Sequence, residues 1–224
     1  MTSGLSVQFT PDGSTTLRHE ELDETYHSRH GALTESVHVY IENGLAYRHR
    51  EDGSPRPLRI FEMGFGTGLN ALLTWDYADR EKVPVEYASV EKHPLEETIW
   101  QQLRFPGVSQ ESVRIAHEAS WEERVILSPF FSLTKRNVDL RDAGIARSAF
   151  DVVYYDAFAP SRQPDLWDAQ TIGKTAAALA PQGVWVTYCA QGQLKRNLRA
   201  AGLLVESLPG PPGKREMVRA RCVN

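Results

Sequence analysis

The stretch "RIFEMGFGTGLNALL", residues 59–73, decides the fold. A short apolar segment leads into a glycine-rich turn, and a helix-like pattern follows, with apolar residues at Leu69, Leu72, Leu73 and Tyr77. Short apolar segments of this kind suit buried parallel strands, and the later spacing suits one face of a helix. The stretch therefore predicts a strand–turn–helix unit of an α/β fold.

Strand-like and helix-like segments alternate through the rest of the chain. The clearest strands are "VEYASVEK", "FDVVYYDAFAP", "GVWVTYCA", "LLVESLPG" and "REMVRARCV". "PLEETIWQQLRF", which begins with Pro94, "PDLWDAQTIGKTAAALAPQG" and "QGQLKRNLRAAG" are predicted helices. "SVRIAH" is taken as a third strand and "SWEERVIL" as a helix. We expect a Rossmann-like, mostly parallel seven-stranded sheet with helices on both faces.

Residues 1–57 differ from this pattern and predict a β-rich N-terminal extension to a main domain spanning 58–224. "LSVQF" and "STTLR" are short alternating segments. Around the turn signal "ENG", we expect a hairpin that pairs Ser36–Ile41 with Leu45–His49. The segment "REDGSPRP" is the expected linker.

The glycine turn itself has the spacing GxGxG, at Gly64, Gly66 and Gly68. Glycines at every second position allow a tight turn and a close approach of backbone to ligand. A phosphate-binding P-loop needs a Lys that is missing here, and the dinucleotide fingerprint would need Gly where Leu69 stands. A nicotinamide enzyme is thus disfavoured, although the glycines alone also fit a purely structural loop.

Two acidic residues narrow the choice of ligand. Glu62 stands immediately before the turn, where a carboxylate repels a pyrophosphate and attracts an amino group or a sulfonium. Glu91 ends the second strand, where dinucleotide folds carry an acidic residue that binds ribose hydroxyls. S-adenosylmethionine has an amino group, a sulfonium and a ribose but no phosphate. The pattern predicts a class I methyltransferase that uses it.

The acceptor side is predicted from "DAFAP" at the end of a later strand. Asp156 is the expected catalytic residue, because a carboxylate can bind an ammonium group, orient it and accept its proton. Phe158 suits a flat base or ring, and Pro160 would stiffen the loop. An Asp at a strand end is also a common helix cap. Trp167 fits either core packing or a wall of the acceptor pocket.

Bulk properties limit the partners and the compartment. The net charge of −4 argues against simple coating of nucleic acid. The C-terminal part is nevertheless rich in cations, which suits either a solvated surface or a face for an anionic partner; they are Lys195, Arg196, Arg199, Lys214, Arg215, Arg219 and Arg221. Two cysteines without a CxxC motif and the lack of a signal-like N-terminus or apolar span favour the cytoplasm. We expect no metal site.

Several motifs together resemble the methyltransferase half of the MnmC family of tRNA wobble-uridine modification enzymes. They are "FEMGFGTGLNALLTW", "SVEKHPLEE", "YYDAFAPSRQPDLW" and "GPPGKREM", and "DETYHSRHGALTES" resembles a family segment ahead of the fold. The resemblance implies a Rossmann-like fold and S-adenosylmethionine as methyl donor. It also implies methylation of the 5-aminomethyl group of the wobble uridine, often 2-thiolated, to give 5-methylaminomethyl-uridine in tRNA.

The residues predicted from the motifs and from this resemblance form two sets. The cofactor set comprises Glu62, Gly64, Phe65, Gly66, Thr67, Gly68, Asn70, Glu91, Lys92, Asn137, Asp139 and Asp156. Within it, Asn137 or Asp139 is expected to hold the adenine amino group. The substrate set comprises Phe158, Pro160, Trp167, Lys214 and Arg215, with the last two closing the site beside Glu216.

One departure from the bifunctional pattern affects the expected partners. The sequence ends after "KREMVRARCVN", without the FAD-dependent oxidoreductase domain of that pattern. We therefore expect a separate enzyme to supply the aminomethyl precursor, or the chain to act on a related amine. A small-molecule amine N-methyltransferase and a non-catalytic binding module with a degenerate donor pocket remain alternatives.

Overall fold

The computed structural model describes residues 4–51 and 56–223, and half of the expected linker, residues 52–55, lies outside them. The N-terminal part forms a small antiparallel sheet of β1 (Leu5–Phe9), β2 (Thr15–His19) and β3 (Glu24–Thr25). The first two strands match the prediction. Three helical segments follow end to end: α1 (Ala32–Ser36), a π-helical segment (Val37–Ala46) and α2 (Tyr47–Glu51).

The hairpin predicted for Ser36–Ile41 and Leu45–His49 is wrong, because this region is helical. Gly44, the last residue of the predicted turn "ENG", lies inside the π-helical segment. A Cβ built at Gly44 would lie 3.0 Å from Val186 Cγ2 and 3.2 Å from Tyr154 Cε1. The glycine therefore lets the helix pack closely on the central sheet, and it does not reverse the chain.

The central sheet has eight strands in two groups along the chain. The first group is β4 (Leu58–Met63), β5 (Val85–Val90), β6 (Arg124–Ser128) and β7 (Phe131–Arg136). The second is β8 (Phe150–Tyr155), β9 (Leu179–Thr187), β10 (Leu204–Pro209) and β11 (Glu216–Arg221). The spatial order is β10-β11-β9-β8-β4-β5-β7-β6. Seven of these strands form the expected Rossmann-like sheet, and β6 adds an antiparallel edge strand.

The remaining helices cover both faces of this sheet. They are α3 (Leu69–Glu81), α4 (Glu97–Trp100), α5 (Gln110–Glu118), α6 (Ala169–Ala176) and α7 (Gly192–Ala200), with a 3₁₀ turn at Pro164–Leu166. Alternate residues of β8 enter separate cores: Val152 and Tyr154 face α3 and the π-helical segment, whereas Val153 and Tyr155 face α6 and α7. None of the described helices is long and apolar enough to span a membrane.

Four local predictions between Pro94 and Gly183 are wrong. "SVRIAH" belongs to α5, whose N-cap Ser109 accepts a hydrogen bond from the Ser112 amide, a capping signal that the strand interpretation missed. "SWEERVIL" contains the edge strand β6 and no helix. The helix after Pro94 begins only at Glu97 and has four residues. The helix predicted for "PDLWDAQTIGKTAAALAPQG" ends at Ala176, and Gly183, the last residue of that segment, lies inside β9.

The sheet order places the site. The chain runs from β4 outward to β5 and β7, and then crosses back to β8 on the other side of β4. Ligands of open α/β sheets bind where the strand order reverses in this way, outside the carboxyl ends of the strands. The glycine turn follows β4, and "DAFAP" follows β8, so both lie at this reversal.

Candidate active site

The glycine turn connects β4 to α3 at the carboxyl edge of the sheet. Gly64, Gly66 and Gly68 all have positive φ angles, of 86°, 50° and 74°. A Cβ on Gly64 would lie 3.3 Å from the Asp156 carbonyl oxygen, and one on Gly66 would lie 3.3 Å from the ring of Tyr26. The three glycines are therefore required both by backbone conformation and by close neighbours.

A cavity of about 900 Å³ opens beside this turn. Ten of the predicted site residues line it; they are Gly64, Phe65, Gly66, Thr67, Asn70, Glu91, Lys92, Asp139, Asp156 and Phe158. The structure thus brings together the ends of β4, β5, β7 and β8. Predicted residues absent from the lining are Glu62, Gly68, Asn137, Pro160, Trp167, Lys214 and Arg215.

Glu91 lies at the cavity wall and is tied to the turn. Its Oε2 accepts a hydrogen bond from the Gly66 amide at 3.0 Å, and its Oε1 accepts one from the His93 amide at 2.8 Å. Burial raises the pKa of Glu91, while these amide donors oppose the rise. The carboxylate therefore holds the turn in shape and still borders the cavity, as expected of a residue beside ribose hydroxyls.

Glu62 occupies a different position from the one predicted. Its side chain is buried under the turn, where Ser89 Oγ donates a hydrogen bond to Oε2 at 3.0 Å. Burial, reinforced by the charge of Asp156, raises the pKa of Glu62 to about 8. Glu62 is therefore mostly neutral at pH 7. It does not present the full negative charge that was expected to attract the ligand.

The residues proposed for adenine separate into two roles. Asn137 is exposed, and its Nδ2 donates to the carbonyl oxygens of Glu91 and Lys92, so it connects the loops that follow β5 and β7. Asp139 lines the cavity and pairs with Arg141 at 2.8 Å and with Lys92 at 3.2 Å. The hydrogen bonds from Arg141, followed by those from Lys92, keep the pKa of Asp139 well below its usual range.

Asp156 is the carboxylate placed at the reversal point on the acceptor side. Its Oδ2 accepts a hydrogen bond from Asn70 Nδ2 at 2.9 Å. Burial raises the pKa of Asp156 to about 6; Glu35 adds to the rise, whereas hydrogen bonds from Tyr40 and Asn70 and the charge of Lys214 oppose it. At neutral pH the group is mostly ionised, and it is a base matched to that pH.

The acceptor loop after β8 is supported from behind by Trp167. This side chain is buried, its Nε1 donates to the Phe158 carbonyl oxygen at 2.8 Å, and its ring meets Tyr155 edge to face. Trp167 therefore fixes the loop and does not form the cavity wall. Phe158 does line the cavity, and its ring contacts Tyr26 edge to face at 4.9 Å between centroids.

Lys214 reaches the acceptor side from the loop between β10 and β11. Its ammonium pairs with the buried Glu35 of α1 and lies 3.7 Å from the ring centroid of Tyr188. The Tyr188 hydroxyl donates to the Ala157 carbonyl oxygen at 2.7 Å, next to Asp156. We call the Lys214–Glu35 pair the latch, because it joins the C-terminal loop to the N-terminal segment over the acceptor site.

Two histidines, His27 and His117, support the glycine turn, and His27 also lines the cavity. His117 Nε2 bonds to the Thr67 carbonyl oxygen at 3.0 Å, and His27 Nε2 lies 3.3 Å from Thr67 Oγ1. Burial lowers the pKa of each imidazole to about 4. Both rings are therefore neutral at physiological pH, and His117 carries its proton on Nε2 to donate to the carbonyl.

Sequence reasoning missed the contribution of the N-terminal segment to the site. His19, Tyr26 and His27 line the cavity, while Glu35 and Tyr40 influence Asp156. The "ELDETYHSRHGALTES" segment is polar and aromatic and precedes the fold, so nothing in its periodicity indicated that it folds over the carboxyl edge of the sheet. The family resemblance of "DETYHSRHGALTES" is a signal for Tyr26, His27 and Glu35, and it does not cover His19 or Tyr40.

The donor set fits S-adenosylmethionine better than a phosphate ligand. Carboxylates of Glu91 and Asp139 border the cavity at two strand ends, and the turn has no lysine that could hold a phosphate. The cavity volume of about 900 Å³ is that of a typical cofactor site. Hydroxyl and amino groups are the ligand groups that such carboxylates bind, and a sulfonium avoids the repulsion that a pyrophosphate would meet.

Comparisons with known proteins agree with this geometry. A family model described as S-adenosyl-L-methionine-dependent methyltransferase matches residues 105–222. The tRNA 5-methylaminomethyl-2-thiouridine biosynthesis bifunctional protein MnmC of Azoarcus sp. (strain BH72) is 32% identical over 96% of this chain. Its counterpart in Pseudomonas paraeruginosa is 31% identical over 87% of it. The chain spans about a third of the length of these relatives, 35% and 32% respectively.

A solved structure supports the same assignment. The crystal structure of MNMC2 from Aquifex aeolicus superposes with a TM-score of 0.81 at 26% identity, covering 97% of this chain and 70% of that one. The resemblance to the MnmC family and the predictions of fold, enzyme class and cofactor are confirmed. The chain belongs to the S-adenosyl-L-methionine-dependent methyltransferase family.

Proposed function

We propose that this methyltransferase transfers a methyl group to the 5-aminomethyl group of the wobble uridine, with or without 2-thiolation, in tRNA. The product is 5-methylaminomethyl-(2-thio)uridine. The observation that carries the proposal is Asp156, a buried carboxylate held by Asn70 at the strand-order reversal, beside the glycine turn. The names of the MnmC relatives support tRNA as the substrate.

Asp156 suits a primary amine acceptor because such an amine is mostly protonated at neutral pH. The carboxylate can bind the ammonium, point its nitrogen toward the glycine turn and take up one proton, directly or through water. With a pKa of about 6, Asp156 is ionised at pH 7 and weakly basic enough to release that proton again. Asn70 keeps Oδ2 in place during this exchange.

Two neighbouring sets of residues, the aromatic pair of Phe158 and Tyr26 and the latch with Tyr188, have further roles at the acceptor side. When bound, S-adenosylmethionine supplies an electrophilic methyl group on its sulfonium. Phe158 and Tyr26 meet edge to face where the acceptor loop borders the cavity, which suits them to contact a flat base. The latch and the hydrogen bond from Tyr188 to the Ala157 carbonyl oxygen connect the N-terminal segment, the C-terminal loop and the acceptor loop.

Cytoplasmic tRNA is the expected partner, and a separate enzyme is the expected source of the aminomethyl precursor. The thiol of Cys189 is buried and free, which suits a reducing compartment. We also propose the division into an N-terminal extension, residues 1–57, and a methyltransferase domain, residues 58–224.

The test uses purified protein, S-adenosylmethionine and tRNA carrying 5-aminomethyl-uridine. We expect nucleoside mass spectrometry to show one added methyl group on that base, and unmodified tRNA to gain none. Transfer to free small amines but not to this tRNA would instead support the small-molecule N-methyltransferase. If the protein binds the donor but methylates neither class of amine, the non-catalytic module is favoured.

A further inference from the structure

The C-terminal cations do not form one uniform basic face. Four are neutralised by carboxylates, in the pairs Lys195–Glu216, Lys214–Glu35, Arg219–Glu206 and Arg221–Glu206. Among residues 4–51 and 56–223, the other three, Arg196, Arg199 and Arg215, make no ion pair; all three are exposed, and Arg196 hydrogen-bonds the neutral Gln193. Their charges are therefore free to meet an external anion.

The N-terminal segment adds two cationic or polar groups to the same edge of the molecule. A Cβ on Gly213 would collide with the ring of His30, so His30 lies directly on the loop that carries Arg215. The latch and a contact between His38 Nε2 and the Pro209 carbonyl oxygen, at 2.9 Å, hold the two segments together. Arg29 is exposed beside His30.

A second cavity, of about 490 Å³, opens beside this edge. Its walls come from the end of β9 and from the loop before β11, and include Tyr188, Cys189, Lys214 and Arg215. Tyr188 connects the cavity to the acceptor loop through its hydrogen bond to the Ala157 carbonyl oxygen. Lys214 and Arg215 therefore line an opening that Tyr188 connects to the loop that carries Asp156.

We propose that Arg29, His30, Arg196 and Arg215, which we call the basic rim, bind tRNA phosphates flanking the modified nucleotide, and that the second cavity receives a neighbouring nucleotide. This inference rests on the proposed function. The positive charges of the basic rim attract phosphate groups, which favours the approach of a polyanion from this side.

The charge count explains how a chain of net charge −4 can bind RNA. A few uncommitted arginines release counterions from phosphate, whereas paired cations contribute little. We expect an affinity for tRNA that is modest and sensitive to salt. Contacts of the rim with phosphates would position the tRNA, and the acceptor site would recognise the base.

The closing experiment compares the full chain with the triple variant Arg29→Ala, Arg196→Ala and Arg215→Ala. Binding of tRNA is measured by fluorescence anisotropy across a salt series, and methyl transfer is measured on aminomethyl-uridine tRNA. We expect the slope of log affinity against log salt to become shallower by about 2, and the KM for tRNA to rise roughly tenfold or more. Binding of S-adenosylmethionine, followed by calorimetry, should be retained.

Arg147→Ala is the matched control. Arg147 is exposed, has no ion pair among the described residues, and precedes β8 at the opposite edge of the sheet. It removes one positive charge without touching the rim, so its salt slope should equal that of the unaltered protein. A triple variant with the same slope and KM as Arg147→Ala would overturn the proposal.

The proposed function fails separately from this inference. If the unaltered protein binds tRNA but does not methylate the aminomethyl base, the assigned reaction is wrong, and the salt slopes still decide whether the rim holds RNA. If it methylates the base and the rim variant matches the control, the reaction stands and the rim is wrong. If it does not bind tRNA at all, both fail.

Discussion

The cofactor half and the acceptor half of the main cavity are assembled in different ways. The cofactor half consists of the glycine turn, Glu91 and Asp139, and each of these follows a strand of the central sheet by a few residues. The acceptor half combines Asp156 with Tyr26 and the latch, which come from the two ends of the chain.

The cofactor half therefore depends on contacts between neighbouring strand ends, whereas the acceptor half depends on contacts between segments that are far apart in sequence. The ends of β4 and β5 are adjacent in the sheet, so the hydrogen bond from Gly66 to Glu91 follows once the parallel pairing forms. Lys214 and Glu35 are far apart in sequence and meet only when the whole domain has folded. We therefore expect changes in the cofactor half to affect donor binding, and changes in the acceptor half to affect turnover and its pH dependence.

The largest expected effect comes from Asp156→Ala. Loss of the carboxylate removes the group that binds and deprotonates the amine, so kcat should fall by about 10²–10⁴-fold. The Kd for S-adenosylmethionine should change only slightly, because the turn and Glu91 remain. Steady-state kinetics and calorimetry measure the two quantities.

Asp76→Asn is the control for this variant, since Asp76 is an exposed carboxylate of α3 that pairs with Arg80. Its kcat should be unchanged. If Asp156→Ala kept most of the turnover while the affinity for S-adenosylmethionine fell strongly, Asp156 would belong to the cofactor half. The division of the cavity into a cofactor half and an acceptor half would then be wrong.

The second effect concerns Gly64→Ala. The new Cβ would press on the Asp156 carbonyl oxygen at 3.3 Å in a left-handed backbone conformation, with φ at 86°. We expect the Kd for S-adenosylmethionine to rise roughly tenfold and the free energy of unfolding to fall by about 1–2 kcal/mol. Calorimetry and urea denaturation give these values.

Gly107→Ala is a closely matched control, because Gly107 has φ at 82° and a Cβ there would have no neighbour within 4 Å. It should cost the same backbone strain and leave donor binding unchanged. Equal donor affinities in the two variants would show that the close approach to Asp156 is unimportant.

The smallest effect concerns the latch and the pH profile. Activity requires ionised Asp156, so it should decline as the pH falls below about 6. Lys214→Met removes a cation that favours the carboxylate, which should raise the pKa of Asp156 and move the acid limb to higher pH. Glu35→Gln removes an anion and should move that limb to lower pH. We expect shifts of roughly half a pH unit in each direction.

The double variant Glu35→Gln with Lys214→Met should return the acid limb toward its original position, because the two charges act in opposite directions on Asp156. Lys195→Met, which breaks the Lys195–Glu216 pair, serves as the control and should leave the limb in place. Shifts of the same sign in both single variants would mean that the latch acts through structure and not through its charges.

The sequence alone determined the central sheet, the glycine turn and the position of Asp156. These depend on local signals: apolar strands of the right length, glycines that need positive φ, and carboxylates at strand ends. The sequence does not determine the middle of the chain in the same way. There α5 and the edge strand β6 are short and amphipathic, and their patterns fit either a helix or a strand.

Tertiary structure alone decided three matters. It buried Glu62 under the turn, with a pKa of about 8, instead of facing it to the ligand. It placed Trp167 behind the acceptor loop. It also folded the N-terminal segment over the carboxyl edge of the sheet, so that Tyr26 contacts Phe158 while Glu35 and Tyr40 act on Asp156. Burial and contacts between distant segments set these outcomes, and neither can be read from the spacing of residues along one chain.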